Sequence, residues 1–90
     1  MMKVTVELYG ATKDLSSKNF LEFDVKNNST VKDVKFEIIK FIDKKFEGNE
    51  NLKKIIESSA FCSENDKIIS ENYIFSKSQT IGIIPPIGGG

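Results

Sequence analysis

The residues of this chain best suited to chemistry are its last six, Pro85-Pro86-Ile87-Gly88-Gly89-Gly90. Glycine has no Cβ, so a run of glycines can thread a slot that excludes every other residue. Ordering such a run costs roughly 1–2 kcal/mol per backbone unit, and the two prolines limit that cost at the base by fixing φ and favouring an extended exit. Fully stretched, six residues reach about 20 Å, enough to carry a terminal carboxylate through a partner's wall. The tail is therefore expected to be flexible and to work through the acid group on Gly90. The plain alternative, a frayed chain end, is weakened by the apolar lead-in Ile83-Ile84-Pro85-Pro86-Ile87.

The other chemically able residues point away from a self-contained catalyst. The chain has no histidine, the commonest general base and metal ligand. Its one cysteine, Cys62, excludes an internal disulfide and fits a reducing compartment. A lone cysteine in an expected strand reads as a small core residue. Asp33, Glu37 and Asp43 fall on or near the polar side of an expected helix and form no paired-carboxylate site. No metal and no bound cofactor is expected.

Ninety residues make one domain. A composition of 39% hydrophobic and 29% charged residues is that of a folded globular protein. Thirteen basic residues balance thirteen acidic ones, and the lysines are spread along the chain, so neither nucleic acid nor a membrane surface is an expected partner. No apolar run approaches membrane-spanning length and no signal-peptide block precedes the first strand, so the expected location is cytoplasmic.

The elements that must carry the tail follow from periodicity. Residues 3–9 alternate, with Val4, Val6 and Leu8 on one face, which predicts a half-buried strand. Gly10 breaks it, and a polar loop is expected through about Asn19. Leu21, Phe23 and Val25 alternate again, so the two runs read as an antiparallel hairpin. Ser29 or Thr30 can cap a helix whose stripe is Val31, Val34, Ile38, Phe41 and Ile42, running to about Phe46 with Asp33 in the first turn. Phe36 falls off that stripe and nothing in the sequence accounts for it. Gly48 with Asn49 closes the helix.

Leu52, Ile55 and Ile56 predict a short second helix ending near Ser58. Phe61 to Glu64 reads as a strand, Asn65-Asp66 as a tight turn and Lys67 to Ile69 as its return. Asn72 to Gln79 is a loop with Tyr73 and Phe75 tacked onto the core, and Thr80 to Ile84 a buried central strand. A hairpin, a crossing helix and a last strand lying parallel to the first make an α+β domain, the β-grasp, over residues 1–84, followed by the tail 85–90. If Ile81 and Ile83 meet the helix, Ile84 lies on the uncovered side at the base of the tail, where Ile68 could join it as a docking rim. The alternative is a last strand buried on both sides.

With these elements in place, the run Ile81-Gly82-Ile83-Ile84-Pro85-Pro86-Ile87-Gly88-Gly89-Gly90 resembles the end of the molybdopterin synthase small subunits, ubiquitin-like sulfur carriers of the MoaD and ThiS type. Two apolar residues, a proline pair, an aliphatic residue, a variable residue and Gly-Gly stand in the family's order without a gap. Asn65 and Ile68-Ile69 are similar to a family segment that turns at an asparagine and returns. The chain departs from the pattern at Lys77-Ser78-Gln79-Thr80, where an acidic glycine-containing turn is common, and at Glu64, where an aliphatic residue is usual. The region between helix and strand is also longer and richer in lysine than in a compact member.

The resemblance implies that an adenylyltransferase resembling the ubiquitin activators converts Gly90, with ATP, to an acyl-adenylate. A sulfur donor then leaves a thiocarboxylate on Gly90. It further implies that the tail Pro85, Pro86, Ile87, Gly88 and Gly89 docks in the large synthase subunit of a heterotetramer, where Ile84 and Ile68, placed by alternation, are the expected partner-binding rim. Sulfur then passes to a cyclic pyranopterin monophosphate, so the chain is the sulfur-donating subunit of a sulfurtransferase complex and not an enzyme by itself. Two other functions share the same first step: a carrier for thiamine thiazole synthesis, and a modifier joined to target lysines through Gly90. The length and Pro85-Pro86 favour the pterin pathway over the thiazole one. A β-grasp binding module with inert glycines is the remaining alternative.

Overall fold

A computed structural model of the chain describes residues 1–86. Five strands form one mixed sheet: β1 (Met2–Leu8), β2 (Phe20–Val25), β3 (Ala60–Cys62), β4 (Ile68–Ile69) and β5 (Gln79–Ile84). Two helices, α1 (Val31–Lys45) and α2 (Glu50–Ser58), separate β2 from β3. The order across the sheet is β2-β1-β5-β3-β4. The hairpin β1–β2 is antiparallel, with Val4 opposite Phe23 and Val6 opposite Leu21. The last strand lies parallel to the first, with Val6 opposite Ile81 and Leu8 opposite Ile83, and so occupies the centre of the sheet.

One face of the sheet carries the core. Val4, Val6, Leu8, Leu21, Val25, Phe61, Ile81 and Ile83 pack with Val31, Val34, Ile38 and Ile42 of α1 and Ile56 of α2. Phe75 is fully buried and Tyr73 packs beside it edge-on, ring centroids 5.4 Å apart. The start of α1 is closed as its sequence suggests. Thr30 Oγ1 accepts from the Asp33 N–H at 3.3 Å, and Asp33 Oδ2 accepts from the Thr30 N–H at 2.9 Å. The Val31 and Lys32 N–H groups, which no helix turn can satisfy, donate to the Tyr73 and Glu71 carbonyls. This bonding also pins the loop before β5 against the helix.

Three details depart from the expected pattern. The segment after β1 is not loop throughout: Gly10–Leu15 forms a 3₁₀ helix with Thr12 and Leu15 buried. Six residues with one large apolar side chain carry no readable period, which is why the alternation rule misses it. Asn49 does not belong to the end of α1; its side chain accepts from the Leu52 N–H at 3.1 Å and caps α2. Strand β3 stops at Cys62, so Glu64 falls outside it. Phe36 is 60% exposed on α1, and the Lys40 ammonium sits 5.6 Å from its ring centroid, a cation–π contact that supplies a neighbour but no core role.

Candidate functional site at the end of the central strand

The period of two in β5 sends Ile81 and Ile83 into the core, 1% and 0% exposed, and turns Gly82 and Ile84 to the opposite, helix-free face. Ile84 is exposed, so the last strand is open on this face at its end, whereas Gly82 on the same face is buried. Strand pairing puts Ile84 beside Ala60 and Gly82 beside Cys62, and Cys62 beside Ile68. Ile84 and Ile68 therefore share the open face, as the sequence suggests, and both are exposed. Pro85 and Pro86 leave β5 at this corner, Pro85 half-buried and Pro86 exposed. Ile87, Gly88, Gly89 and Gly90 lie outside the described residues.

The surroundings of this corner were not legible in the sequence. Gly10 has φ +56°, and a Cβ there would stand 3.0 Å from Pro85 Cγ, so a bare backbone in left-handed conformation seats the first proline of the tail. Tyr9, just before it, lies across the open face. A Cβ on Gly82 would meet Cys62 Sγ at 2.9 Å and Tyr9 Cε2 at 3.0 Å, so the tyrosine ring and the thiol close over the glycine. Cys62 is buried as expected, but on the open face under Tyr9 and not among the core side chains.

Thr12 holds the tyrosine in place. Its hydroxyl accepts from the Tyr9 N–H at 3.0 Å and donates to the Tyr9 carbonyl at 2.6 Å. The Tyr9 hydroxyl donates to Glu7 Oε1 at 3.3 Å. The phenol is held above its ordinary value of 10.0, first by the Glu7 charge and then by desolvation, with Asp66 and Cys62 adding to the effect. Tyr9, Ile68 and Ile84 thus form an apolar rim beside the tail exit. On the other flank, Ala11, Lys54, Ile55 and the two prolines line a groove of about 650 Å³.

The Glu64 carboxylate accepts from the Thr80 N–H at 2.9 Å and closes the entry to β5. A second groove, between α1 and the free edge of β2, is lined by Phe23, Phe41, Lys40 and Lys44 and stands apart from the tail. Among the described residues no group of three or more His, Cys, Asp or Glu could hold a metal ion, and no helix is long and apolar enough to cross a membrane.

No described protein family matches the chain by sequence, and neither does any curated protein. Solved structures do match by shape. A protein named as a candidate molybdopterin converting factor, subunit 1, from Pyrococcus furiosus superposes with a TM-score of 0.71 at 19% identity, over 97% of this chain and 100% of that one. SAMP1 from Haloferax volcanii gives 0.67 at 13% identity, over 98% and 99%. Caldiarchaeum subterraneum ubiquitin gives 0.61 at 15% identity, over 99% and 98%. At these identities the likeness speaks for architecture, and the architecture is clear: the chain has the ubiquitin-like β-grasp fold, with its last strand at the centre of the sheet and its tail leaving from an exposed apolar corner.

Proposed function

We propose that this chain is a ubiquitin-like sulfur carrier, the small subunit of a molybdopterin synthase. The observation that carries the reading is the tail Pro85-Pro86-Ile87-Gly88-Gly89-Gly90 following directly from a central strand that ends at an exposed apolar corner. In this reading the Gly90 carboxylate attacks the α-phosphate of ATP on an adenylating enzyme, releasing pyrophosphate. The resulting mixed anhydride is the electrophile that a carboxylate is not. A sulfur donor of hydrosulfide oxidation level then displaces AMP and leaves a thiocarboxylate, a soft nucleophile that is anionic at neutral pH. Docked in a large synthase subunit, the tail delivers this sulfur to a cyclic pyranopterin monophosphate. Ile84 and Ile68 contribute the docking rim, Pro85 and Pro86 aim the tail, and the small Gly88 and Gly89 let it pass.

A protein modifier joined through Gly90 is the second reading, favoured by the comparable likeness to SAMP1, a small archaeal modifier protein, and to Caldiarchaeum subterraneum ubiquitin. Both routes pass through the same adenylate, so the separating measurement is intact mass after incubation with the cognate adenylating enzyme, ATP and a sulfur donor. Exchange of one oxygen for sulfur is the expected outcome. Conjugates of higher mass that vanish on deleting Gly90 would instead establish the modifier, and an unchanged mass would mean the glycines are inert. Gly89→Ala, or one residue appended after Gly90, is expected to abolish sulfur transfer while the unfolding midpoint stays where it was.

A further inference from the structure

Pro85 is where the sheet must let the chain go. Parallel pairing sets Leu8 beside Ile83, so the next places along the two strands bring Tyr9 beside Ile84 and Gly10 beside Pro85. Proline has no N–H to donate, and the ladder stops there. Gly10 turns away at φ +56° into the 3₁₀ helix. The two chains part at one contact: a Cβ on Gly10 would stand 3.0 Å from Pro85 Cγ and 3.9 Å from Cδ. A Cα–Cβ bond is about 1.5 Å long, so the ring lies within about 4.5 Å of the Gly10 Cα, in van der Waals contact.

The seat is stiffer than a loop. Thr12 and Leu15 are buried, and the Thr12 hydroxyl ties both backbone groups of Tyr9. The Thr12 N–H adds a bond to the Tyr9 carbonyl at 3.1 Å, and upstream the Leu8 N–H donates to the Asn19 carbonyl at 2.9 Å. The prolines are stiff in themselves but not relative to the domain. Each ring fixes its own φ, and each proline holds the residue before it extended, so Ile84 and Pro85 both run straight. Together Pro85 and Pro86 make a rod of about 6 Å. Its nitrogens carry no hydrogen, so no ladder bond from the rod sets its tilt against the sheet. Contact with Gly10 does.

The geometry points to Gly10 as a positioning residue of the tail: its bare backbone is the stop against which Pro85 rests, and that stop sets the direction in which the terminal carboxylate is presented. An added Cβ would push the ring outward by about 0.5–1 Å to reach ordinary contact. A displacement of that size, made far from the reacting atoms, is enough to slow a reaction that depends on orientation. The left-handed φ alone would also select glycine. Asparagine separates the two causes, since it tolerates that backbone yet carries a Cβ.

The proposal deepens the carrier reading and rests on it for its kinetic arm, ATP–pyrophosphate exchange by the cognate adenylating enzyme with the full chain as substrate. Gly10→Asn is expected to lower kcat about tenfold with KM within about twofold, because the domain docks as before and the carboxylate arrives misaimed. A merely structural fault would do the reverse, since a partly unfolded substrate is a diluted one that raises KM and leaves kcat alone. Pro85→Ala reaches the contact from the other side and should also lower kcat. Without the ring the new Cβ has nothing to push, so Gly10→Asn in the Pro85→Ala background should cost nothing more. Gly48→Asn, the same change at φ +70° between the helices, should leave both constants unchanged.

Residual dipolar couplings of the free chain give a second readout that needs no enzyme. The Cα–Hα couplings of Pro85 and Pro86 should change in Gly10→Asn while those of Val6, Ile81 and Ile83 hold. Unchanged couplings at both prolines, an undiminished kcat in Gly10→Asn, or additive losses in the double variant would each overturn the proposal. Should Gly10→Asn fail to fold, Pro85→Ala decides, and a wild-type kcat there overturns it. The two failures are distinct. Absence of exchange with the unaltered chain sinks the carrier reading, and the couplings still judge the seat. Normal exchange that is indifferent to Gly10→Asn sinks this inference alone.

Discussion

Tyr9 and Gly82 show how one side chain can define a surface. The ring lies over the glycine because Thr12 clamps the Tyr9 backbone from both sides and Glu7 holds the hydroxyl. Nothing at position 82 except hydrogen leaves room for the ring and the Cys62 sulfur together. Gly82→Ala is therefore expected to cost about 1–3 kcal/mol by overpacking. In a Tyr9→Ala background the same change should cost less, because the ring no longer opposes the new methyl. A double-mutant cycle in urea checks this, and equal penalties in the two backgrounds would show that Tyr9 does not close over Gly82. The sequence named Ile84 and Ile68 on this face through alternation, and it ended the first alternating run at Tyr9 with Gly10 as its breaker. Alternation gives a face but not a neighbour, so the packing of Tyr9 on Gly82 and of Gly10 on Pro85 escaped it.

At the scale of elements, the loop before β5 is tied to the helices by more than packing. The Lys35 ammonium donates to the Glu57 carbonyl at the end of α2 and to Glu71 Oε2, each at 2.8 Å. Lys35 thereby holds the Glu71 carboxyl below its ordinary value of 4.5, first through the hydrogen bond and then through its charge. A carboxyl whose pKa is depressed on folding stabilises the fold above its unfolded pKa, and that contribution is lost as pH falls through the folded one. Unfolding measured by denaturant between about pH 6 and 3 should thus show a stability loss on acidification that Lys35→Met makes shallower. An identical acid limb in the variant would mean the ion pair is too solvated to matter. Both helices were legible from apolar spacing and capping residues. The partners of the orphan groups of α1, Tyr73 and Glu71, were not, since they lie some forty residues away.

For the whole molecule, the one-sided sheet decides what each neighbour in β5 does. Ile83 is fully buried in the core and Ile84 is 38% exposed beside the tail. Ile83→Ala is expected to lower stability by about 2–5 kcal/mol, a core truncation. Ile84→Asp should change stability by less than about 1 kcal/mol yet impair docking to the adenylating enzyme. Thermal unfolding together with stopped-flow association of that enzyme separates these effects, and a large stability loss at Ile84 would contradict a free docking face. Composition, the alternating strands, the α1 stripe and the glycine tail were determined by the sequence itself, because each is a local pattern that a short window of residues contains in full. The seat of Pro85 on Gly10 and the closure of Tyr9 over Gly82 and Cys62 were decided only by tertiary structure. They arise where strands distant in sequence pair side by side, and pairing across the sheet depends on register and on which face the core claims, neither of which any single segment encodes.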